Sequence, residues 1–312
     1  MIKFFTLFIL AFSITACGFD TEMRTQTANH IARPAFMVER DIDAGDFTLQ
    51  AWERMHQREH PATIYIEDDA FLTYFATEDL TQDALFNPTP VNPVALHLAS
   101  RDQSKNLGYL ARPCQFIKMP HSKGCEATYA RNRRYSPEVF DAYNAALDNM
   151  AAMYDLTGFH LVGHGGGANI AAVLAAQRQD VLSLRTVAGD LNPDYIAHVR
   201  GYTPLDSDSM LAVDYARSLT HVPQYHFIGG ADRLVTPGAY HSYRQMVGLS
   251  DCIHYSVIAD ADHTRGWVEK WPELLAIMPQ CAKLHNDLPS LPPIDSAEIP
   301  NYELYKGLRA KP

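Results

Sequence analysis

Residues 159–176, FHLVGHGGGANIAAVLAA, constrain this chain more than any other stretch. FHLVG is an apolar run suited to a buried strand, HGGG is a break, and ANIAAVLAAQRQD is apolar on nearly every side. A helix with no polar face has to be buried, and a strand feeding directly into it places that helix against a sheet. The segment therefore predicts a tight strand-to-helix turn inside an α/β protein.

The flanking sequence carries the same alternation. AFMVER and FTLQAWER read as two strands around DIDAGD, and ATIYIE (62–67) and NLGYLA (106–111) read as further strands. Residues 136–158 form the clearest helix: Ser136 can cap it, Pro137 suits its first turn, and Gly158 closes it. Val139, Tyr143, Leu147, Met150 and Tyr154 recur along it at three- and four-residue steps. SLRTVAG, QYHFIGG and IHYSVIA are later strands, a helix follows Pro237, and TRGWVEKWPELLAIM reads as a last helix. Such alternation implies right-handed crossovers and a mostly parallel central sheet with helices on both faces. Residues 190–222 interrupt it and read as a helical, lid-like insertion; residues 282–312, rich in proline, read as an extended tail.

The N-terminus bears on compartment. Lys3 precedes FFTLFILAFSITA, thirteen residues poor in polar groups. That run is too short to cross about 30 Å of hydrocarbon as a helix but suits a signal-peptide core. It ends at ITAC, similar to the lipobox of bacterial lipoproteins, which implies a signal peptide over 1–16, lipidation of Cys17 and a membrane anchor facing the periplasm. A plain secretory signal is the alternative. Gly18, where an aspartate would mark inner-membrane retention, favours outer-membrane sorting by the same resemblance. Residues 17–34 are polar without periodicity and read as a tether to a domain spanning 35–281. With Cys17 assigned to lipid, Cys114, Cys125, Cys252 and Cys281 remain, an even number that points to two disulfides in an exported chain. Three connectivities are open; pairing Cys114 with Cys125 and Cys252 with Cys281 is favoured because each pair flanks one local unit. No C-x-x-C cluster suggests a metal. The net charge of −10 and the lack of any basic block beyond RNRR (131–134), read as a solvated loop, argue against a nucleic-acid partner.

The turn at 163–167 has the spacing of G-x-S-x-G, with Gly163 and Gly167 at the outer positions and Gly165 where the nucleophile stands. A phosphate loop fits less well, because neither G-x-x-x-x-G-K-[ST] nor a trailing acidic residue is present. In chain order an acid and then a histidine should follow. Asp232 lies just beyond the strand QYHFIGG, and His263 just beyond IHYSVIA; Asp260 and Asp262 compete with Asp232. A carboxylate holding one imidazole nitrogen leaves the other free as a base.

With these residues in place, the chain resembles the α/β-hydrolase-fold lipoproteins of proteobacteria, relatives of esterases and lipases. TIYIE, NPVALHLA, YLARPCQ, SPEVF, HLVG…GGGANIAA, LRTVAG, VPQYHFIGGAD and DADHTRGW carry the resemblance over about 44–276. It implies a serine at 165 and EGDG after the first core strand, where this chain has Gly165 and EDDA (67–70). Without a hydroxyl at 165 no acyl-enzyme forms there. The resemblance also implies an oxyanion hole of backbone N–H groups from Gly166 and from Asp68 or Asp69. The added carboxylate would narrow that site and repel an oxyanion.

Two functions stay open: hydrolysis of esters or amides with His263, steadied by Asp232, activating water directly, or a non-catalytic relative that binds a small ligand or a protein partner. The expected ligand is a small ester-like or acyl molecule in a pocket at the strands' C-terminal ends, roofed by residues 190–222. Tyr195, Tyr202, Leu205 and Met210 line it on this reading, or serve as ordinary core. No nicotinamide, flavin or metal signature appears, so no cofactor is expected.

Overall fold

The computed structural model describes residues 20–70, 87–117 and 124–282. Cys17, the signal-peptide region and the tail beyond residue 282 lie outside them. Eight strands form one sheet: β1 (Val38–Ala44), β2 (Phe47–Met55), β3 (Ala62–Ile66), β4 (Asn106–Leu110), β5 (Phe159–His164), β6 (Val181–Val187), β7 (Gln224–Gly229) and β8 (Ile253–Ile258). Their order is β1-β2-β4-β3-β5-β6-β7-β8. The β1–β2 hairpin and the β2–β4 pair are antiparallel, and every later pairing is parallel.

Both faces of the sheet are covered, so the strands are apolar throughout rather than alternating. All five residues of β3 are buried. Ala62, Ile64 and Ile66 join one core with Phe159 and Leu161, while Tyr65 and Val162 point into a second core on the other face with Phe227, Trp267 and Trp271. Successive strand side chains point to opposite faces, so each strand feeds both cores.

Helices cover the two faces: α1 over residues 20–32, α2 (Val94–Arg101), α3 (Pro137–Tyr154), α4 (Gly166–Gln177), α5 (Pro193–Arg200), α6 (Ala212–Tyr215), α7 (Pro237–Val247) and α8 (Trp271–Leu275). The segment expected to be a polar tether is in fact largely α1. Thr21, Thr25, Ala28 and Ala32 are its buried stripe, at steps of four, three and four residues. A stripe of small residues packs as closely as one of large residues but carries little hydrophobic signal. The Trp52 indole N–H donates to Asn29 Oδ1 at 2.9 Å and ties α1 to β2.

Other boundaries also differ from expectation. α3 ends at Asp155, in the left-handed conformation (φ 51°), three residues before Gly158, and Ser136 makes no side-chain cap. The last helix is confined to Trp271–Leu275, because Pro272 suits only a helix's first turn. Residues ahead of it form a compact turn, in which Asp262 Oδ1 accepts the N–H groups of Thr264 and Arg265. Residues 190–222 are helical, but they contribute Leu205, Leu211, Ala212, Val213, Ala216 and Leu219 to the core beside α4.

Cys114 is joined to Cys125 and Cys252 to Cys281. The second bond closes a 29-residue separation and pins the chain after α8 to the edge strand β8. Replacing both Cys252 and Cys281 by serine is expected to cost about 3 kcal/mol, from loop-closure entropy; urea unfolding of the double variant beside the parent measures it.

Candidate functional site

The turn between β5 and α4 is held from both sides. Gly165 N–H donates to Val187 O at 3.1 Å, and Gly165 O accepts from Asp190 N–H at 3.0 Å. A Cβ on Gly163 would lie 2.4 Å from Gly167 O and 2.5 Å from Ala168 Cα, so the strand end and the helix start leave no room for a side chain. Gly165 takes φ 52° and ψ −123°. For any residue with a Cβ, that backbone costs about 1–3 kcal/mol; glycine adopts it freely.

The space in front of Gly165 is filled by a carboxylate. A Cβ on Gly165 would lie 2.3 Å from Asp68 Oδ1 and 2.6 Å from its Cγ. Asp68 follows β3, whose C-terminal end lies beside that of β5 in the parallel pair. Its Oδ1 accepts the Gly166 N–H at 2.7 Å, and its Oδ2 accepts the Ala70 N–H at 3.2 Å. Oδ2 also lies 3.5 Å from His263 Nε2, within ion-pair distance but longer than a hydrogen bond. On the far side of that ring, Nδ1–H donates to Asp232 Oδ2 at 3.1 Å. Asp232 is oriented in turn by the N–H groups of Leu234 and Val235, both on its Oδ1.

Gly165, His263 and Asp232 are thus brought together from three strand ends. The competing carboxylates are engaged elsewhere: Asp260 with Lys270 on the surface and Asp262 with Arg265. The oxyanion donors stand differently from expectation. Gly166 N–H is taken by Asp68, and Asp68 N–H donates to Glu67 Oε1 at 2.9 Å. Asp69 sets its carboxylate against Gly166, where an added Cβ would lie 2.5 Å from Oδ2, and pairs it with the Tyr135 hydroxyl at 2.8 Å and Arg134 Nε at 3.2 Å. Two donors expected to receive a substrate oxygen are satisfied by the protein's own carboxylates.

Charge in this buried cluster follows from the contacts. Burial opposes a charge on His263, but the hydrogen bond to Asp232 and the adjacent Asp68 outweigh it and raise its pKa well above the ordinary value. Burial likewise opposes ionisation of Asp68, yet the His263 ring, the neighbouring His164 and the Gly166 N–H hold its carboxyl well below the usual carboxylate range. The resting arrangement is an imidazolium between two carboxylates. Asp190, beyond β6, is the reverse case. Burial, with Asp69 and Asp68 nearby, outweighs the opposing charges of Arg134 and His263 and pushes its carboxyl up to about 8.

Several of these residues carry no sequence signal of their own. His164 Nε2–H donates to the His263 backbone carbonyl at 2.8 Å, while its Nδ1 lies 3.4 Å from Glu67 Oε1. His164 therefore fixes the backbone of the residue that carries the imidazole, and its place next to Gly165 in the turn is the one available signal. Glu67 also accepts the Tyr109 hydroxyl at 3.1 Å. The RNRR segment is not a solvated loop: Arg134 is 3% exposed and bonded to Asp69, and both Arg134 and Arg112 lie over the Tyr135 ring.

A cavity of about 420 Å³ opens beside Asp68, lined by Glu67, His164, Thr264, Val94, Arg24 and the 87–92 segment among others. Its outer wall comes from α1 and residues 87–94, not from the 190–222 insertion. Tyr195, Tyr202, Leu205 and Met210 are absent from its lining and pack in the cores, which corrects the expectation of a roof there.

Comparison with known proteins agrees with this architecture. No family model matches the chain, and no curated protein matches it by sequence. Among solved structures, an esterase of Pyrococcus furiosus superposes with a TM-score of 0.53 at 13% identity, covering 78% of this chain and 90% of that one. An α/β serine hydrolase homologue from Coxiella burnetii gives 0.50 at 16% identity, covering 76% and 95%. Est1E from Butyrivibrio proteoclasticus gives 0.50 at 14%, covering 76% and 97%. The chain has the α/β-hydrolase fold.

The Asp190 environment sets a pH dependence. Between 3.8, its ordinary value, and about 8, the folded protein keeps a proton that the unfolded chain releases, so stability falls as pH rises across that window. The raised His263 adds a separate loss that begins only above its ordinary 6.5. Asp190→Asn should flatten the stability profile between pH 4 and 6 and leave the His263 decline above it; urea unfolding at a series of pH values measures both.

Proposed function

We propose that this protein is an α/β-hydrolase-fold relative of esterases that has lost serine-type acyl transfer while keeping a pocket for a small uncharged, ester-like molecule. One observation carries the reading: the Asp68 carboxylate fills the space a nucleophile's side chain would enter and takes the Gly166 N–H that would steady an oxyanion. Gly165 supplies no hydroxyl, so no acyl-enzyme forms at the turn. Direct activation of water by His263 is also disfavoured, because an imidazolium between Asp68 and Asp232 has no free lone pair. Glu67 and Asp68 on the cavity wall disfavour anionic ligands such as free fatty acids.

A serine-directed fluorophosphonate tests this. The unaltered protein should not be labelled, and neither should Gly165→Ser, whose new Cβ meets Asp68. The double variant Gly165→Ser/Asp68→Gly should be labelled, with labelling lost on adding His263→Ala. Labelling of the unaltered protein would overturn the reading. Gly165→Ser alone should also be less stable by at least about 1–3 kcal/mol, from backbone strain before any collision is counted.

The same reading places the protein outside the cytoplasm, anchored by lipid on Cys17. Two disulfides among the four other cysteines support export. Among the described residues no helix is long and apolar enough to cross a membrane, so an anchor would come from elsewhere. Metabolic labelling with an alkyne fatty acid should mark the protein in cells and fail for Cys17→Ala; equal labelling of both would exclude Cys17 as the site.

A further inference from the structure

The cysteine read as the lipid anchor and the cavity beside Asp68 are nearly contiguous in the chain. Three peptide units join Cys17 to Asp20, and fully extended they span at most about 11 Å. Asp20 and Arg24, from the first turns of α1, already line the cavity. We propose that this short link holds the cavity mouth against the lipid bilayer, so that an uncharged ligand enters from the membrane and not from bulk water. The inference rests on the lipidation of Cys17 proposed above and adds to it a docking face, an orientation and a source for the ligand.

The mouth is built as one piece with the point of attachment. Arg24 pairs with Asp20 at 2.7 Å and also donates to the backbone carbonyls of Asn87 and Thr89. Asn87 Nδ2 returns the contact, donating at 3.0 Å to Asp20 Oδ2 and to Thr21 Oγ1. The 87–89 backbone is therefore clasped to the start of α1, and whatever restrains residue 20 restrains the rim. A domain of this size has a radius of gyration of about 18 Å. A link of about 11 Å lets such a body rock about its attachment but cannot carry the mouth round to the side facing away from the membrane.

The chemistry of the rim suits a headgroup boundary. Its Asp20 and Arg24 charges neutralise each other, while Val91 at the mouth is 68% exposed and Met23 on α1 is 53% exposed. A chain of net charge −10 gains nothing from an anionic bilayer, so its position has to come from the link and not from electrostatic attraction. Glu67 and Asp68, on the same cavity wall, then select an uncharged guest from among the molecules the bilayer holds.

Lipidated protein reconstituted in phosphatidylcholine vesicles that contain a nitroxide-labelled lipid provides the test. With lipid on Cys17 and the other four cysteines paired, a cysteine introduced at 91 or 249 is the single free thiol for a fluorophore. Leu249 is fully exposed and leads into the N-terminal end of β8, opposite the sheet edge that carries the site. The fluorophore on Val91→Cys should be quenched by the nitroxide, and that on Leu249→Cys should not. Twenty Gly/Ser residues inserted between Gly18 and Phe19, reaching about 25 Å, should release most of the quenching at 91. A diazirine-bearing monoacylglycerol dissolved in the same vesicles should crosslink to cavity-lining segments 20–24, 67–70 or 87–94, with the spacer lowering the yield by about 10-fold. Absent quenching at 91, equal quenching at 91 and 249, quenching at 91 that the spacer leaves unchanged, or crosslinks confined to other segments would each overturn the proposal. Those outcomes, in protein shown by mass spectrometry to carry lipid on Cys17, refute this inference alone; an unmodified Cys17 would overturn it together with the anchor.

Discussion

The contact between Asp68 and the groups around Gly165 governs the rest of this site. A buried carboxylate is tolerated only if it is paired and hydrogen-bonded. Asp68 meets that condition through two backbone N–H groups and the His263 ring. Removing one partner of such a pair costs about 3–5 kcal/mol, because the other charge is left buried and uncompensated. The same contact excludes any side chain at 165, occupies a donor an oxyanion would need, and keeps a proton on His263.

Delivery of these groups is a property of the sheet. Asp68, Gly165, Asp232 and His263 follow β3, β5, β7 and β8, which all run parallel, so their C-terminal ends lie on one edge. Short loops beyond those ends converge although the residues are separated by up to 195 positions between 68 and 263. His164 locks the arrangement by bonding from the end of β5 to the backbone of residue 263. Behind Asp68, a second layer of Asp69, Tyr135, Arg134 and Arg112 compensates buried charge. Asp190 remains as the carboxyl this layer leaves protonated.

Legibility from sequence follows the strength of the local signal. The strand–turn–helix at 159–177 is plain because an all-apolar helix entered directly from a strand must bury every face, and most strands stand out as runs of β-branched and aromatic residues. β1 does not, since it runs through Val38–Ala44, four of whose seven residues are charged, and so takes in most of the DIDAGD segment expected to connect two strands. α1 escapes because its buried face is threonine and alanine, and α2 because its eight residues give little periodicity. Asp232 and His263 are legible from their places after strands. Asp68 is visible as an added carboxylate, but the sequence offers no measure of how deeply it reaches into the turn.

What the chain determined by itself was the fold, the glycine at 165 and the order of acid and histidine behind it, because each is written in residue type and local spacing. Only tertiary structure decided which groups fill the turn. That outcome depends on the approach of β3 to β5, on the depth at which a carboxylate can be buried against Gly166 N–H, and on the outer wall that α1 supplies. Such distances arise from packing between segments far apart in sequence, and no local pattern encodes them.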